Sequence, residues 1–297
     1  MQASPPSRRR SAWSEVAIWE AGLLDPADWT GRWIGYSDPD GVTDPAGLDT
    51  ERPGALLRRA FDVASSVMSA RLYVSALGLY EMSLNGARIG SQRLTPGWTD
   101  YRRRVQYQTY DLTGLLVEGP NVLGTRLADG WFAGHVASFG RWQYGDVPVL
   151  LCQLEIETVG GRQRIETDEK WTGRRGPATV AQLLHGERVD GRQEPSGWDQ
   201  PNDGPMDFLP VQLHADPGIA LVASRDEGVG VIGTLQGRVV RGPSAGSRIV
   251  DFGQNITGHL RLEASGPAGA TIVARHGEAL TPEGDLYTEN LRTAEAC

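Results

Sequence analysis

Paired carboxylates are the first side chains in this sequence that could do chemistry. Glu187, Asp190 and Glu194 fall within one short stretch. Hydrolysis of a glycosidic bond uses two carboxyl groups about 5 to 9.5 Å apart, one donating a proton and the other activating water or attacking the sugar. The same stretch contains Arg188 and Arg192, and an acid beside an arginine is commonly an ion-paired surface anchor. We therefore predict that Glu187, Asp190 and Arg192 form a structural or interdomain cluster, and we assign no catalytic residue.

Two glycine-bracketed aromatic loops are the second candidate, with the sequences GWFAG and FGRWQYGD. In them, Trp131, Trp142 and Tyr144 could stack on the apolar face of a sugar, and Arg141 could bind its hydroxyl groups. The alternative is that Trp131 and Trp142 plug the ends of a sandwich, since large aromatic side chains are mostly buried. These four residues are our predicted substrate-binding residues.

Other chemistries lack the residues they need. The five histidines are scattered, Cys152 and Cys297 have no zinc-ligand spacing, and Lys170 is the only lysine, without a phosphate-binding loop around it. The net charge of -8 argues against nucleic acid and anionic membranes as partners. No secretory signal and no apolar run of about 20 residues is visible. We expect a cytoplasmic protein with no cofactor and no metal.

The elements that must position these side chains are predicted to be strands. The 38 glycines and 18 prolines interrupt the chain too often for long helices. The residues from Pro148 to Thr158 alternate between apolar and polar. One face has the apolar Leu150, Cys152, Leu154 and Ile156, and the other has the polar Gln153, Glu155 and Glu157. Asn85-Gly86 predicts a type I′ hairpin after Leu79 to Leu84. The fold class is therefore all-β, an antiparallel, jelly-roll-like β-sandwich.

A second, incomplete sandwich is expected after a proline-rich stretch, Pro195 to Pro217, which has few backbone donors for a sheet. The predicted organisation is a linker with the remnant of a preceding fibronectin-like domain at 1–52, the first sandwich at 53–220, and the start of the second at 221–297. Further strands are predicted at 56–63, 71–77, 121–128, 229–235, 237–241, 248–252, 259–264 and 270–275. A helical turn capped by Asp25 is predicted at 25–29.

Several phrases of the sequence resemble one enzyme family. The phrases are YVSALGLYE (73–81), LTPGWTDY (94–101), RVQYQTYD (104–111), DGWFAG (129–134), GERVDGR (186–192), DFGQNITG (251–258), RHGEAL (275–280) and LYTENLR (286–292). Together they resemble the N-terminal portion of bacterial α-L-rhamnosidases of glycoside hydrolase family 78. Val189 and Gly191 depart from the family pattern Gly-Glu-x-Tyr-Asp-Ala-Arg.

The resemblance implies a fragment that lacks the family's catalytic (α/α)₆ barrel, in which two carboxylates invert the anomeric centre. Its partners would be that barrel and a rhamnose-containing glycoside or polysaccharide. An alternative is a free-standing lectin-like module, for which calcium would be the cofactor to consider. A third interpretation is hydrolysis by Glu187 and Asp190 themselves. Apolar positions of the second sandwich, such as Ile272 and Val273, are expected to be exposed, and the chain is expected to aggregate.

Overall fold

The computed structural model describes residues 12–17, 19–36, 52–201, 206–241, 246–291 and 294–296. Predictions for residues 1–11, 18 and 37–51 of the linker lie outside the described residues. The strands, in chain order, are β1 (Ile34–Gly35), β2 (Ala55–Val63), β3 (Val67–Leu77), β4 (Leu79–Leu84), β5 (Ala87–Arg88), β6 (Arg104–Asp111), β7 (Gly119–Ala128), β8 (Val149–Thr158), β9 (Gly161–Glu166), β10 (Thr172–Arg175), β11 (Ala178–Gln182), β12 (Gly186–Val189), β13 (Leu209–Pro210), β14 (Gln212–Leu213), β15 (Ala220–Ala223), β16 (Arg238–Arg241), β17 (Ile249–Asp251) and β18 (Glu295–Ala296). Within these residues the structure also has one short α-helix, α1 (Gly130–Ala133), and three 3-10 helices (Pro26–Asp28, Gly191–Gln193 and Glu289–Leu291).

Two sheets form the first sandwich. One has the order β14-β1-β8-β3-β6-β15, with β9 also paired to β8, and the other has the order β13-β10-β2-β7-β4-β5. Their shared core contains Leu72 and Leu154 from the first sheet, Leu57 and Leu123 from the second, and Trp171, all fully buried. Alternating apolar positions on strands of both sheets produce this core, as predicted for an all-β sandwich.

The outer face of β8 is covered at Gln153, where the sequence predicted a wetted face, whereas Glu157 on the same face is exposed as predicted. Gln153 is fully buried because the segment around the first 3-10 helix lies over it. Thr30 donates from its backbone nitrogen to Oε1 of Gln153 at 2.8 Å, and Nε2 of Gln153 donates to the carbonyl of Asp28 at 3.0 Å. Trp29 packs beside Tyr107 in the same layer, with 5.3 Å between ring centroids. Contacts between distant segments therefore bury Gln153, one residue of this polar face.

Two local predictions are confirmed by the backbone. Asn85 and Gly86 have φ of 51° and 84°, as a type I′ hairpin between β4 and β5 requires. Asp25 caps the first 3-10 helix, accepting a hydrogen bond from the backbone of Ala27 at 2.8 Å.

The stretch from 209 to 223 closes sheet edges, although its prolines predicted an exit from the sandwich. β13 pairs with β10, and β14 pairs with β1. β15 then pairs with β6 in parallel, placing Ala220 opposite Arg104. Pro210 is accommodated because β13 lies at the edge of its sheet. β15 also places residues 220–223 in the first sandwich, and the predicted boundary near 220 stays a prediction.

The chain beyond β15 is mostly extended and exposed. β16 and β17 form a two-stranded hairpin, and β18 pairs in parallel with β12. The strands predicted at 229–235, 259–264 and 270–275 do not form among the described residues, because these segments have no continuous ladder partner there. Ile272 and Val273 are 48% and 51% exposed, as predicted.

Candidate functional site

A group of aromatic side chains at one end of the first sandwich forms the candidate site. We call this group, Trp98, Tyr101, Trp131, Phe132 and Tyr144, the aromatic end. The rings of Trp98 and Trp131 are stacked, with centroids 5.9 Å apart and an interplanar angle of 7°. Trp98 is 52% exposed and Trp131 is half-buried, so the stacked pair borders solvent.

Gly130 sets the position of Trp131. It begins α1 directly after Asp129, with a φ of 54° that favours glycine. A Cβ atom at this position would lie 2.6 Å from Cγ of Leu79 on β4. Only glycine therefore lets the chain turn this closely past β4 and bring Trp131 out beside Trp98.

Tyr101 is the most deeply buried ring of the aromatic end. It is 1% exposed and packs edge-on against Phe132 and Tyr144, with centroid distances of 5.6 and 5.1 Å. Its hydroxyl donates to the carbonyl of Gly97 at 2.8 Å, and burial raises the pKa of Tyr101. The guanidinium of Arg102 lies 5.1 Å from the centre of the Tyr144 ring. Tyr144, a predicted sugar contact, is thus placed in this packing, between Tyr101 and Arg102.

A buried ion pair anchors the loop that carries the other predicted residues. Nη2 of Arg141 donates to Oδ2 of Asp129 at 2.6 Å, and the two side chains are 6% and 2% exposed. Gln182 donates to the same oxygen at 3.1 Å, and Nη1 of Arg52 lies 3.6 Å from the other oxygen. Burial raises the pKa of Asp129, and Arg52 and Arg141 oppose that rise. Arg141, predicted to bind sugar hydroxyls, is engaged with Asp129.

Trp142 follows Arg141 and is presented to solvent. It is 39% exposed, and the guanidinium of Arg141 lies 5.5 Å from its ring centre. Its φ of 61° is uncommon for a bulky residue and places it in the left-handed region. The nearby Phe139 is 72% exposed. The loop therefore offers a second exposed aromatic surface, and sugar contact by Trp142 stays a prediction.

The predicted acid-base cluster lies on β12 and the 3-10 helix that follows it. Glu187 is exposed on β12. Asp190 caps the helix, and Arg192 donates to its two carboxylate oxygens, from Nε and Nη2, at 2.8 Å each. The hydrogen bonds from the Arg192 side chain and backbone hold the pKa of Asp190 well below its ordinary value. A carboxylate held ionised in this way is a poor general acid, so the geometry favours a structural role.

Three residues of this region were missed by sequence reasoning: Trp98, Asp129 and Gln182. The signal for Trp98 was its position directly after Pro96-Gly97. This dipeptide predicts a turn, and a tryptophan in a turn is more exposed than one within a strand. Asp129 stands directly before the GWFAG loop. Gln182 carried no signal, because β11 reaches Asp129 only through the tertiary fold.

Metal and membrane sites were also considered for the described residues. Within them, no group of three or more His, Cys, Asp or Glu side chains could hold a metal ion. Likewise, no helix in the part of the chain that the structure describes is long and apolar enough to cross a membrane.

Comparison with known families decides the relationship. Residues 65–233 match the α-L-rhamnosidase N-terminal domain, and residues 242–297 match the bacterial α-L-rhamnosidase concanavalin-like domain. The chain belongs to the bacterial α-L-rhamnosidase family. The resemblance inferred from the sequence phrases is therefore confirmed.

Individual α-L-rhamnosidases are similar to this chain in both sequence and structure. The chain is 46% identical over 243 residues to an α-L-rhamnosidase of Streptomyces avermitilis, covering 81% of this chain and 24% of that protein. The structure of the Streptomyces avermitilis α-L-rhamnosidase complexed with L-rhamnose matches with a TM-score of 0.80 and 44% identity, covering 83% of this chain and 24% of that one. The native α-L-rhamnosidase from Aspergillus terreus matches with a TM-score of 0.89 and 32% identity, covering 98% of this chain and 34% of that one. The chain thus spans about a quarter to a third of the length of these α-L-rhamnosidases.

Proposed function

We propose that this chain supplies the N-terminal β-sandwich portion of an α-L-rhamnosidase, an enzyme that removes terminal α-L-rhamnose from glycosides or polysaccharides. In this role it scaffolds the catalytic unit and binds substrate at the aromatic end. The match of residues 65–233 to the N-terminal domain of these enzymes carries the proposal. It is supported by the L-rhamnose complex of the Streptomyces avermitilis relative.

The aromatic end has the chemistry that a sugar requires. A sugar ring has an apolar C–H face that packs on flat aromatic rings, and L-rhamnose adds a methyl group at C6. The stacked Trp98 and Trp131 present aromatic surface to solvent, and the exposed Trp142 lies on the anchored loop. The buried Asp129–Arg141 pair preorganises that loop, which lowers the entropy lost on binding.

The scaffolding role draws on the exposed apolar residues beyond β15. Val231, Val239, Leu262, Val273 and Leu280 are each between 51% and 60% exposed. Where exposed apolar residues form a contiguous patch, they mark an interaction site in soluble proteins. We propose that the occupant is the remainder of the α-L-rhamnosidase concanavalin-like domain, which the residues from 242 onward match.

Substitutions at the aromatic end test the binding role. Trp98→Ala, Trp131→Ala and Trp142→Ala are expected to weaken the binding of methyl α-L-rhamnoside, measured by calorimetry. Loss of one stacking ring is expected to cost about 1 to 2 kcal/mol, roughly 5- to 30-fold in affinity. Trp19→Ala is the matched control, since Trp19 is 88% exposed and lies outside the aromatic end. Unchanged affinity in all three stably folded variants would remove the binding role.

Catalysis by this chain is tested separately. Because Asp190 is held by Arg192, we expect no turnover of a chromogenic α-L-rhamnoside. Turnover that disappears in the Glu187→Gln variant would instead place catalytic carboxylates in the chain itself.

A further inference from the structure

A cavity of about 450 Å³, lined by both polar and apolar residues, lies on the flank of the first sandwich. We call it the flank cavity. It is bounded by residues 92–97 of the loop after β5, by Gln106 and Gln108 of β6, and by Ser224 and residues 226–229 after β15. Its volume lies within the range of small-molecule sites, about 300 to 1,000 Å³.

The β6 wall of the flank cavity is held by a buried hydrogen-bond chain. The hydroxyl of Tyr80 donates to Oε1 of Gln108 at 2.7 Å, and Nε2 of Gln108 donates to the carbonyl of Pro96 at 3.2 Å. The hydroxyl of Tyr110 lies 3.2 Å from that of Tyr80. Gln108 is only 5% exposed, and burial raises the pKa of Tyr80, which therefore stays a neutral donor. The fold thus maintains polar groups on an inner face where apolar residues would otherwise pack.

The opposite wall is fastened to the loop after β5. The backbone nitrogen of Arg93 donates to the carbonyl of Val229 at 2.7 Å, in an isolated antiparallel bridge. Nε2 of Gln92 donates to the carbonyl of Glu227 at 3.4 Å. Ser224 donates to Oδ1 of Asp226 at 3.0 Å. The segment after β15 is therefore tied to the sandwich beside the cavity.

Arg93 is the residue of the cavity that most requires a ligand. Its Nη1 atom is buried and has no hydrogen-bond acceptor among the described residues. A buried donor left unsatisfied costs about 1 to 3 kcal/mol, and more when the group is charged. Because this atom is closed to solvent in the structure, a ligand oxygen satisfies it once the Arg93 side chain turns toward the cavity on binding.

The balance of charge and polarity defines the class of ligand. Asp226 and Glu227 stand beside Arg93 in the cavity lining, so the two carboxylates repel an anion and the guanidinium offsets part of their attraction for a cation. An apolar ligand would leave these charges and the amide of Gln106 desolvated. Neutral hydroxyl groups donate to carboxylates and accept from guanidinium and amide groups, so they match the whole lining. Leu94, Pro96 and Val229 add an apolar side.

We propose that the flank cavity binds a neutral sugar ring and, resting on the proposed function, that this ring is a rhamnose residue of the substrate. The hydroxyl groups bind Arg93, Gln106 and the carboxylates, and the C6 methyl group packs on the apolar side. Trp98 directly follows the cavity residues 92–97, so an extended glycan could occupy the cavity and the aromatic end together.

Titration of the folded 297-residue chain with monosaccharides, followed by NMR, tests this. L-rhamnose at millimolar concentration is expected to shift the side-chain resonances of Gln106 and Arg93. Gln106→Leu and Glu227→Gln are each expected to weaken this binding about tenfold, close to the loss measured when one hydrogen bond is removed. Glu227 is exposed, so its substitution leaves the fold intact. Trp19→Ala, at an exposed position outside the cavity and the aromatic end, is the control expected to leave the Gln106 shift in place.

The outcomes separate the cavity from the proposed function. Shifts of Gln106 and Arg93 with D-mannose or D-glucose but not L-rhamnose would support a sugar cavity and overturn its assignment to rhamnose. No shift with any of these sugars, or shifts with inorganic phosphate alone, would overturn the cavity. Rhamnose shifts confined to Trp98 and Trp131 would overturn the cavity and leave the proposed function standing.

Discussion

Asp129 shows how a single side chain organises the candidate site. It receives a hydrogen bond from Arg141 on the aromatic loop and another from Gln182 on β11. The loop beside it carries Trp142, and the next helix carries Trp131. The residues proposed to touch sugar are therefore positioned by a residue that is itself 3% exposed.

Asp129→Asn is expected to destabilise the chain strongly. The substitution leaves Arg141 with a buried charge and no carboxylate, and breaking a buried pair typically costs about 3 to 5 kcal/mol. Denaturant unfolding measures the change. The control is Asp100→Asn, which removes an exposed ion pair with Arg103 at 3.9 Å and is expected to change stability by less than about 0.5 kcal/mol. Equal effects of the two substitutions would contradict the anchoring role.

Arg192→Ala is expected to raise the pKa of Asp190 toward its ordinary value of 3.8. The Arg192 side chain is the largest cause of the lowered pKa, and its backbone hydrogen bond remains in the variant. A folded-state pKa below the unfolded one means that the stabilisation is present above the unfolded value and is lost as pH falls toward the folded one. A carboxyl ¹³C titration by NMR measures the midpoint, which should move upward. A midpoint that does not move would show that Arg192 does not hold the carboxylate.

Sequence reasoning at the residue scale found the aromatic loops and missed their supports. Trp131 and Trp142 were visible because glycines bracket them, and Asp190 and Arg192 because they are neighbours in the sequence. Trp98, which stacks on Trp131, lies 33 positions earlier, and this pairing exists only through the tertiary fold.

The β4–β5 hairpin shows the strongest agreement between local sequence and element. Asn85-Gly86 predicted its turn type, and the alternation in β8 predicted the core-facing row from Leu150 to Ile156. Long-range pairing was not predictable. β15 joins β6 in parallel across more than a hundred residues, and the cover over Gln153 comes from the segment around Thr30.

Gly86→Ala is expected to destabilise the chain by about 1 to 2 kcal/mol, because a left-handed backbone is unfavourable for alanine. Its φ is 84°, and a Cβ atom would also lie 2.6 Å from Nε2 of Gln200. Thermal unfolding followed by circular dichroism gives the comparison. Gly114→Ala is the matched control, since no atom lies within 4 Å of its added Cβ. If both variants unfold at the wild-type temperature, the turn does not need glycine.

At the scale of the whole molecule, strand pairing is extensive in the first sandwich and sparse in the described residues beyond β15. β3 and β8 lie inside the first sandwich and pair at ten of the eleven positions from Val67 to Leu77. The residues from 253 to 273 have no ladder, and Leu260, Leu262 and Ile272 among them are at least 40% exposed.

Hydrogen exchange is expected to divide the chain in the same way. Amides of β3 and β8 should exchange slowest, and those of 253–273 should exchange within the shortest labelling time, because exposed unpaired amides have no opening barrier. Mass spectrometry of labelled peptides measures both. If the amides of residues 259–264 exchanged as slowly as those of β8, the exposed, unpaired state of this segment would be contradicted.

Self-association is the second expectation at this scale. The exposed apolar residues beyond β15 should make the chain associate as its concentration rises, measured by light scattering after size exclusion. Leu262→Lys and Val273→Lys together should reduce association, and Leu115→Lys is the control because Leu115 is also exposed, at 54%, but lies in the first sandwich. A chain that stays monomeric at high concentration would show that this surface needs no partner.

The placement of β13, β14 and β15 also bears on synthesis by the ribosome. These strands form both ends of the first sheet and one end of the second, yet all three come from residues 209–223. The ribosome releases the amino terminus first, so the edges of both sheets stay unpaired in the nascent sandwich until residue 223 has left the exit tunnel. During that interval we expect a chaperone to bind at these unpaired sheet edges.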